Sequence, residues 1–215
     1  MRGKPSIVPL TRARWRDFEE LFGPRGACGG CWCMTPRLSR RDYEASKGEP
    51  NRRAMHRLVV RGPPPGLLAY RDGAAVGWIA VAPRAEYRQL AGSRVLAPVD
   101  DAPVWSIVCL FLRKDARRQG LSARLIRAAA DFAFAHGARI VEGYPQEPRD
   151  AAMPDVFAWT GIASAFEKAG FREVARRSPT RPIFRRAAPR VVRASGPSSR
   201  RPGPRTGRGR GRRPP

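Results

Sequence analysis

Residues 104–136 read VWSIVCLFLRKDARRQGLSARLIRAAADFAFAH. From Val104 to Leu112 only Ser106 is polar, and β-branched and aromatic side chains dominate, which predicts a strand buried on both faces. Leu121, Leu125, Ala128, Ala129 and Phe132 then recur at helical spacing, and Gly137 after His136 is a stop signal. A helix start leaves about four backbone N–H groups unpaired and carries about half a positive charge. Gly120 lets a ligand approach the backbone, Ser122 keeps the next position small, and Arg113, Lys114, Arg117 and Arg118 surround the turn with charge. Such a turn suits a phosphate or pyrophosphate. A basic turn in an Arg-rich protein is the plain alternative, and local chemistry leaves both open.

The run Arg117-Arg118-Gln119-Gly120-Leu121-Ser122 resembles motif A of the GNAT superfamily of N-acetyltransferases, Arg/Gln-x-x-Gly-x-Gly/Ala, with Ser122 at a position usually Gly or Ala. Ser164-Ala165-Phe166-Glu167-Lys168-Ala169-Gly170-Phe171 resembles the superfamily's closing motif, Tyr-Glu-Lys-x-Gly-Phe, and follows motif A and one further strand in the expected order. The resemblance spans residues 5–186. It implies an α/β fold with a central, mostly antiparallel mixed sheet of about six to seven strands and helices on both faces. It implies acetyl-CoA as co-substrate, its pyrophosphate held by backbone N–H groups among Arg117, Arg118, Gln119, Gly120, Ser122 and Ala123. The pantetheine arm would pair with the preceding strand at Leu110 and Leu112, and an N–H near Leu110 would polarise the thioester carbonyl. Phe166 departs from the pattern, because many members carry a general-acid Tyr there and a phenyl ring has no proton to give.

The chain has 215 residues, enough for one domain with a proper core. It carries 38 Arg against four Lys; with much Ala, Gly and Pro, part of the net charge of +24 is codon bias rather than function. Residues 187–215 hold nine Arg and no acid, and 23 of these 29 residues are Arg, Pro, Gly or Ser. Such a segment cannot bury enough surface to offset chain entropy, so the expected organisation is a domain over 1–186 and a disordered basic tail over 187–215. The tail suits nonspecific nucleic-acid phosphate contact, against a solvated tail with no selected partner. No apolar run reaches the ~18 residues that span a bilayer, and the first twenty residues lack a signal-peptide stretch. Of four cysteines, Cys109 falls in a predicted strand, so no secreted disulfide framework is indicated, and a cytoplasmic protein is expected.

Before the central stretch, residues 7–10 read as a short strand and residues 11–22 as a helix capped by Thr11, its apolar face Trp15, Phe18, Leu21 and Phe22. Cys28-Gly29-Gly30-Cys31-Trp32-Cys33 holds three soft ligand types, but no matching fourth ligand pair exists, so metal is not expected. By family analogy this segment borders the acceptor, which makes Cys31, Trp32 and Cys33, with Trp78 on a later strand, candidates to line the substrate pocket, against plain packing. Ser39 caps a short helix and Asn51 another that ends before Gly62-Pro63-Pro64-Pro65. Asp72-Gly73 joins two apolar runs in a hairpin, 67–70 and 74–81. After the central helix, 138–144 reads as a strand, 145–154 as a loop, 157–169 as a helix and 171–177 with 182–186 as a final hairpin.

Acetyl transfer to an amine needs a neutral nucleophile, a polarised carbonyl and a proton for the thiolate. Glu142 is the candidate base, against a structural ion pair; Tyr144, on the same strand face, is the candidate acid, against plain packing; Ser164 is a further hydroxyl. The reading is an N-acetyltransferase moving an acetyl group from acetyl-CoA to a primary amine of a small molecule or protein, by direct attack in a ternary complex. A silent acyl-CoA-binding module and a nucleic-acid-associated protein acting through its tail are the alternatives. No membrane partner is expected, and homodimerisation stays open.

Overall fold

In the computed structural model, which describes residues 3, 5–147 and 159–189, the apolar run and helical repeat of the central stretch form consecutive elements. In chain order the elements are β1 (Ser6–Pro9), α1 (Trp15–Phe22), α2 (Arg40–Ala45), α3 (Glu49–Arg61), β2 (Gly66–Arg71), β3 (Ala74–Pro83) and α4 (Arg88–Ala91). They continue with β4 (Trp105–Leu112), α5 (Leu121–Ala135), β5 (Ile140–Gly143), α6 (Ala163–Lys168), β6 (Arg172–Arg176) and β7 (Pro182–Ala187).

Seven strands form one sheet in the order β1-β2-β3-β4-β5-β7-β6, and only β4 and β5 run parallel. The architecture is therefore the mixed, mostly antiparallel α/β sheet that the motifs implied. Asp72 and Gly73 are both left-handed, at φ 50° and 80°, which suits the tight hairpin between β2 and β3. β7 inserts between β5 and β6 because its Pro182-Ile183-Phe184 start is buried, whereas the charged β6 is mostly exposed and suits an edge.

Each face of the sheet carries a core. On one side Leu125, Ile126 and Ala129 of α5 pack with Ile79, Ile107, Val141 and Phe166. On the other, Phe18 and Phe22 of α1 and Met55 and Val59 of α3 pack with Leu68, Trp78 and Val108. Phe18 meets Trp78 edge-on at 5.0 Å between ring centroids, and full burial of one such ring is worth about 3 kcal/mol.

Four local expectations change. Thr11 makes no side-chain cap, because a 3-10 turn (Arg12–Arg14) intervenes before α1. Asn51 does not cap α3, which starts two residues earlier with Glu49 and Pro50; its buried side chain instead donates Nδ2 to the Gly30 carbonyl at 3.2 Å. β4 is buried at Ser106–Val108 but part-exposed at Cys109, Leu110 and Phe111, where β5 no longer runs beside it. The expected helix over 157–169 shortens to α6, because Trp159 to Ile162 are drawn into contacts with the sheet. Ser39 does cap α2, accepting from the Asp42 N–H at 3.1 Å. Most of the expected 145–154 loop, the start of that helix and all but the first residues of the basic tail lie outside the described residues. Among the described residues no helix is long and apolar enough to cross a membrane.

Candidate functional site

Two structures meet at the end of β4: the turn into α5, and the fork where β4 and β5 part. The turn is exposed from Arg118 to Gly120, and its tightness comes from left-handed Arg118 and Gly120, at φ 57° and 73°. A Cβ at Gly120 would meet nothing within 4 Å, so only its backbone conformation demands glycine and the space above it is open. Arg124 N–H donates to the Gly120 carbonyl at 3.4 Å, so the amides of Leu121, Ser122 and Ala123 precede the first helical donor and face outward from the helix start. Side chains brace the turn from below: Arg117 Nε donates to the Leu112 carbonyl at 3.1 Å, and Gln119 Nε2 to the Asp115 carbonyl at 2.8 Å. Arg71 Nη1 reaches Gln119 Oε1 at 2.7 Å and ties the turn to β2.

β4 and β5 pair only through Trp105, Ser106 and Ile107 with Val141, Glu142 and Gly143. Beyond that the strands separate, and the gap is filled from α6 and the segment before it. The Leu110 N–H, expected to face a ligand, donates to the Trp159 carbonyl at 2.7 Å, and Gln146 N–H donates to the Gly161 carbonyl at 2.9 Å. Phe166 is fully buried against Gly143; a Cβ added there would lie 1.9 Å from its ring. Glycine at 143 is thus the condition for the ring to enter the fork.

Glu142 and Tyr144 share a face, as their spacing required, and both are buried. Tyr144 OH donates to Glu142 Oε2 at 2.7 Å and lies 2.8 Å from Ser106 Oγ. Arg84 Nη1 donates to Tyr144 OH at 2.6 Å and to Glu142 Oε2 at 3.3 Å, while Arg185 Nε donates to Glu142 Oε1 at 2.8 Å. Arg185 also grips Asp100 at 2.6 and 2.9 Å. Both carboxylate oxygens are therefore engaged by guanidinium groups. Burial, then the negative Glu142, push the Tyr144 hydroxyl well above the ordinary tyrosine value. Ser164 stands apart, on the exposed side of α6.

The candidates for a substrate-lining lip divide differently from expectation. Trp32, Cys33 and Trp78 are core residues with 5%, 2% and 0% exposure, because α1 closes over them through Phe18 and Phe22; Cys31 alone is part-exposed. Burial pushes the Cys31 thiol up to about 11. Among the described residues no three His, Cys, Asp or Glu side chains group as a metal site.

Sequence reasoning missed Arg84, Arg185, Ser106 and Trp159. The two arginines look like any of 38 in the chain, and Trp159 acts through its carbonyl, which no side-chain pattern reports.

The family model described as "Acetyltransferase (GNAT) family" matches residues 32–154, more than half of the chain. No curated protein matches the sequence. Among solved structures, a mosquito arylalkylamine N-acetyltransferase-like protein is similar with TM-score 0.51 and 12% identity, covering 86% of this chain and 100% of that one. A protein of Pyrococcus horikoshii is similar with TM-score 0.50 and 15% identity, covering 86% and 99%. At these identities the likeness is one of fold.

Proposed function

Because the chain belongs to the acetyltransferase (GNAT) family, we propose that it moves an acetyl group from acetyl-CoA to a primary amine of a small molecule or protein, by direct attack in a ternary complex. The observation that carries this reading is the open turn at the start of α5, where the outward amides of Leu121, Ser122 and Ala123 and the cationic Arg118 offer a cradle for a pyrophosphate. Leu110 and Leu112, two apart on β4, would turn their amides toward the pantetheine arm. For that arm to pair at Leu110, the Trp159 carbonyl must leave its bond to the Leu110 N–H. Acetyl-CoA supplies the activated acyl group; the residues of this chain bind, orient and handle protons.

Proton handling falls to the chain Ser106–Tyr144–Glu142. Tyr144 keeps its proton at neutral pH and so donates a hydrogen bond rather than acting as a base. Glu142, between two guanidinium groups, chiefly holds Tyr144 and Arg84 in place. Ser164 is the alternative hydroxyl from α6. The division into an acetyltransferase body and a basic tail, nonspecific phosphate contact by that tail, and a cytoplasmic setting for four free thiols belong to the same proposal.

A second reading, binding of acyl-CoA without turnover, is favoured by the fully buried Phe166 at the general-acid position and by the engaged Leu110 amide. Calorimetric titration of acetyl-CoA into the full chain, with ATP and inorganic pyrophosphate as controls, tests both. Saturable 1:1 binding with preference over the controls supports the shared cofactor site, and amine-dependent release of free CoA then selects transfer over silent binding. No preference over the controls overturns both.

A further inference from the structure

The cysteine-rich segment has no part in acetyl transfer as proposed, yet it is tightly built into the molecule. Trp32 and Cys33 are consecutive non-glycine residues at positive φ, 44° and 58°, a conformation that most side chains avoid. The bend delivers Cys33 into the core beneath α1, where Trp78 Nε1 donates to its Sγ at 3.1 Å. The register of β3 and β4 sets Cys109 opposite Ala80, two residues along the same strand face from Trp78. Cys109 thus approaches Cys33 from the sheet side, on the face where Trp78 meets the Cys33 sulfur. Both are free thiols in this structure.

Their surroundings make them unequal. Burial by itself would raise the Cys33 thiol, but the neighbouring Cys109 thiol, the hydrogen bond from Trp78 and the charge of Arg37 together hold it below the usual thiol range. Arg37 is itself buried, bonded to Glu86 at 2.5 Å and stacked 4.8 Å from the Tyr87 ring centroid. Cys109 is raised by the neighbouring Cys33 and by burial. The sulfur that more readily loses its proton therefore lies inside, and its proton-bearing partner is part-exposed on β4 beside the fork.

We propose that Cys33 and Cys109 form a reversible dithiol–disulfide modification site that is oxidised by hydrogen peroxide. The Cys33 thiolate attacks one peroxide oxygen; the S–O bond forms, the O–O bond breaks, and the departing hydroxide takes a proton to become water. Cys109 gives up its proton and attacks the Cys33 sulfur, forming the S–S bond and expelling the second oxygen as water. Two thiols are oxidised and one peroxide is reduced to two waters. Two sulfurs brought to one side of Trp78 by the bend and by the sheet register are placed to close to a disulfide, and the part-exposed Cys109 side is where peroxide would enter. A thiol reductant reverses the reaction by exchange. The inference does not depend on acetyl transfer.

The test is peptide mass mapping of the reduced full chain after peroxide treatment, with free thiols alkylated under denaturing conditions. The expected result is a peptide joining Cys33 to Cys109, lighter by two hydrogens than the reduced pair and lost on treatment with dithiothreitol, with Cys28 and Cys31 alkylated. Cys109→Ser abolishes the cross-link, while Cys28→Ser and Cys31→Ser retain it. A Cys28–Cys31 cross-link with Cys33 and Cys109 both alkylated, or no cross-link at all, overturns the proposal. The wild-type map decides the matter even where a serine variant fails to fold.

Discussion

The turn into α5 and the fork between β4 and β5 share β4 yet are built by opposite means. The turn presents main-chain amides from a few consecutive residues, and its side chains, Arg117 and Gln119, brace it from within the same stretch. The fork assembles Arg84, Ser106, Glu142, Tyr144, Phe166 and Arg185 from across the chain, and most of its polar atoms are already matched to one another. A backbone site stays open to a ligand because nothing inside the protein competes for it. A side-chain site in a protein this rich in arginine fills with its own ion pairs.

The contrast is sharpest at Glu142. Glu142→Gln leaves Arg84 and Arg185 facing a neutral amide in a buried place, and should lower unfolding free energy by about 4 kcal/mol, read by urea denaturation. A variant of wild-type stability that loses turnover would instead make Glu142 a base and break the comparison. At the turn, Gly120→Glu should weaken acetyl-CoA binding at least ~100-fold, about 2.7 kcal/mol, by placing a carboxylate in the open space above the amides. Its folding cost should stay near ~1 kcal/mol, from the left-handed backbone alone. Unchanged affinity by calorimetry would remove the turn as the anion site.

Phe166→Tyr restores the residue usual at that position, but its ring is packed against Gly143 and Gly161. The added hydroxyl should cost about 2 kcal/mol as a buried polar group without a built partner and leave turnover unchanged; a gain in rate would show that the fork opens further in the working enzyme. The smallest effect concerns pH. Burial raises Tyr87 and Tyr144 above the ordinary tyrosine value of about 10, so the folded chain keeps protons that the unfolded chain releases. Stability should therefore be flat below that pH and fall above it, by up to about 1.4 kcal/mol per pH unit for each tyrosine. Tyr144→Phe should remove one such increment from the slope, measured by urea midpoints at alkaline pH.

The sequence by itself determined the strand–turn–helix of residues 104–136, the Asp72-Gly73 hairpin, the cap at Ser39 and the shared face of Glu142 and Tyr144. These follow from chain periodicity, turn chemistry and charge within a few residues, which a linear string displays directly. Tertiary structure alone decided that β7 enters the sheet beside β5, that Trp32, Cys33 and Trp78 form core rather than a lip, and that Trp159 reaches the Leu110 amide. It also chose Arg84 and Arg185, out of 38 arginines, to hold Glu142. The physical reason is common to all of these. Burial and partner choice depend on which distant surfaces meet, and many arginines of equal charge differ only in where the fold places them.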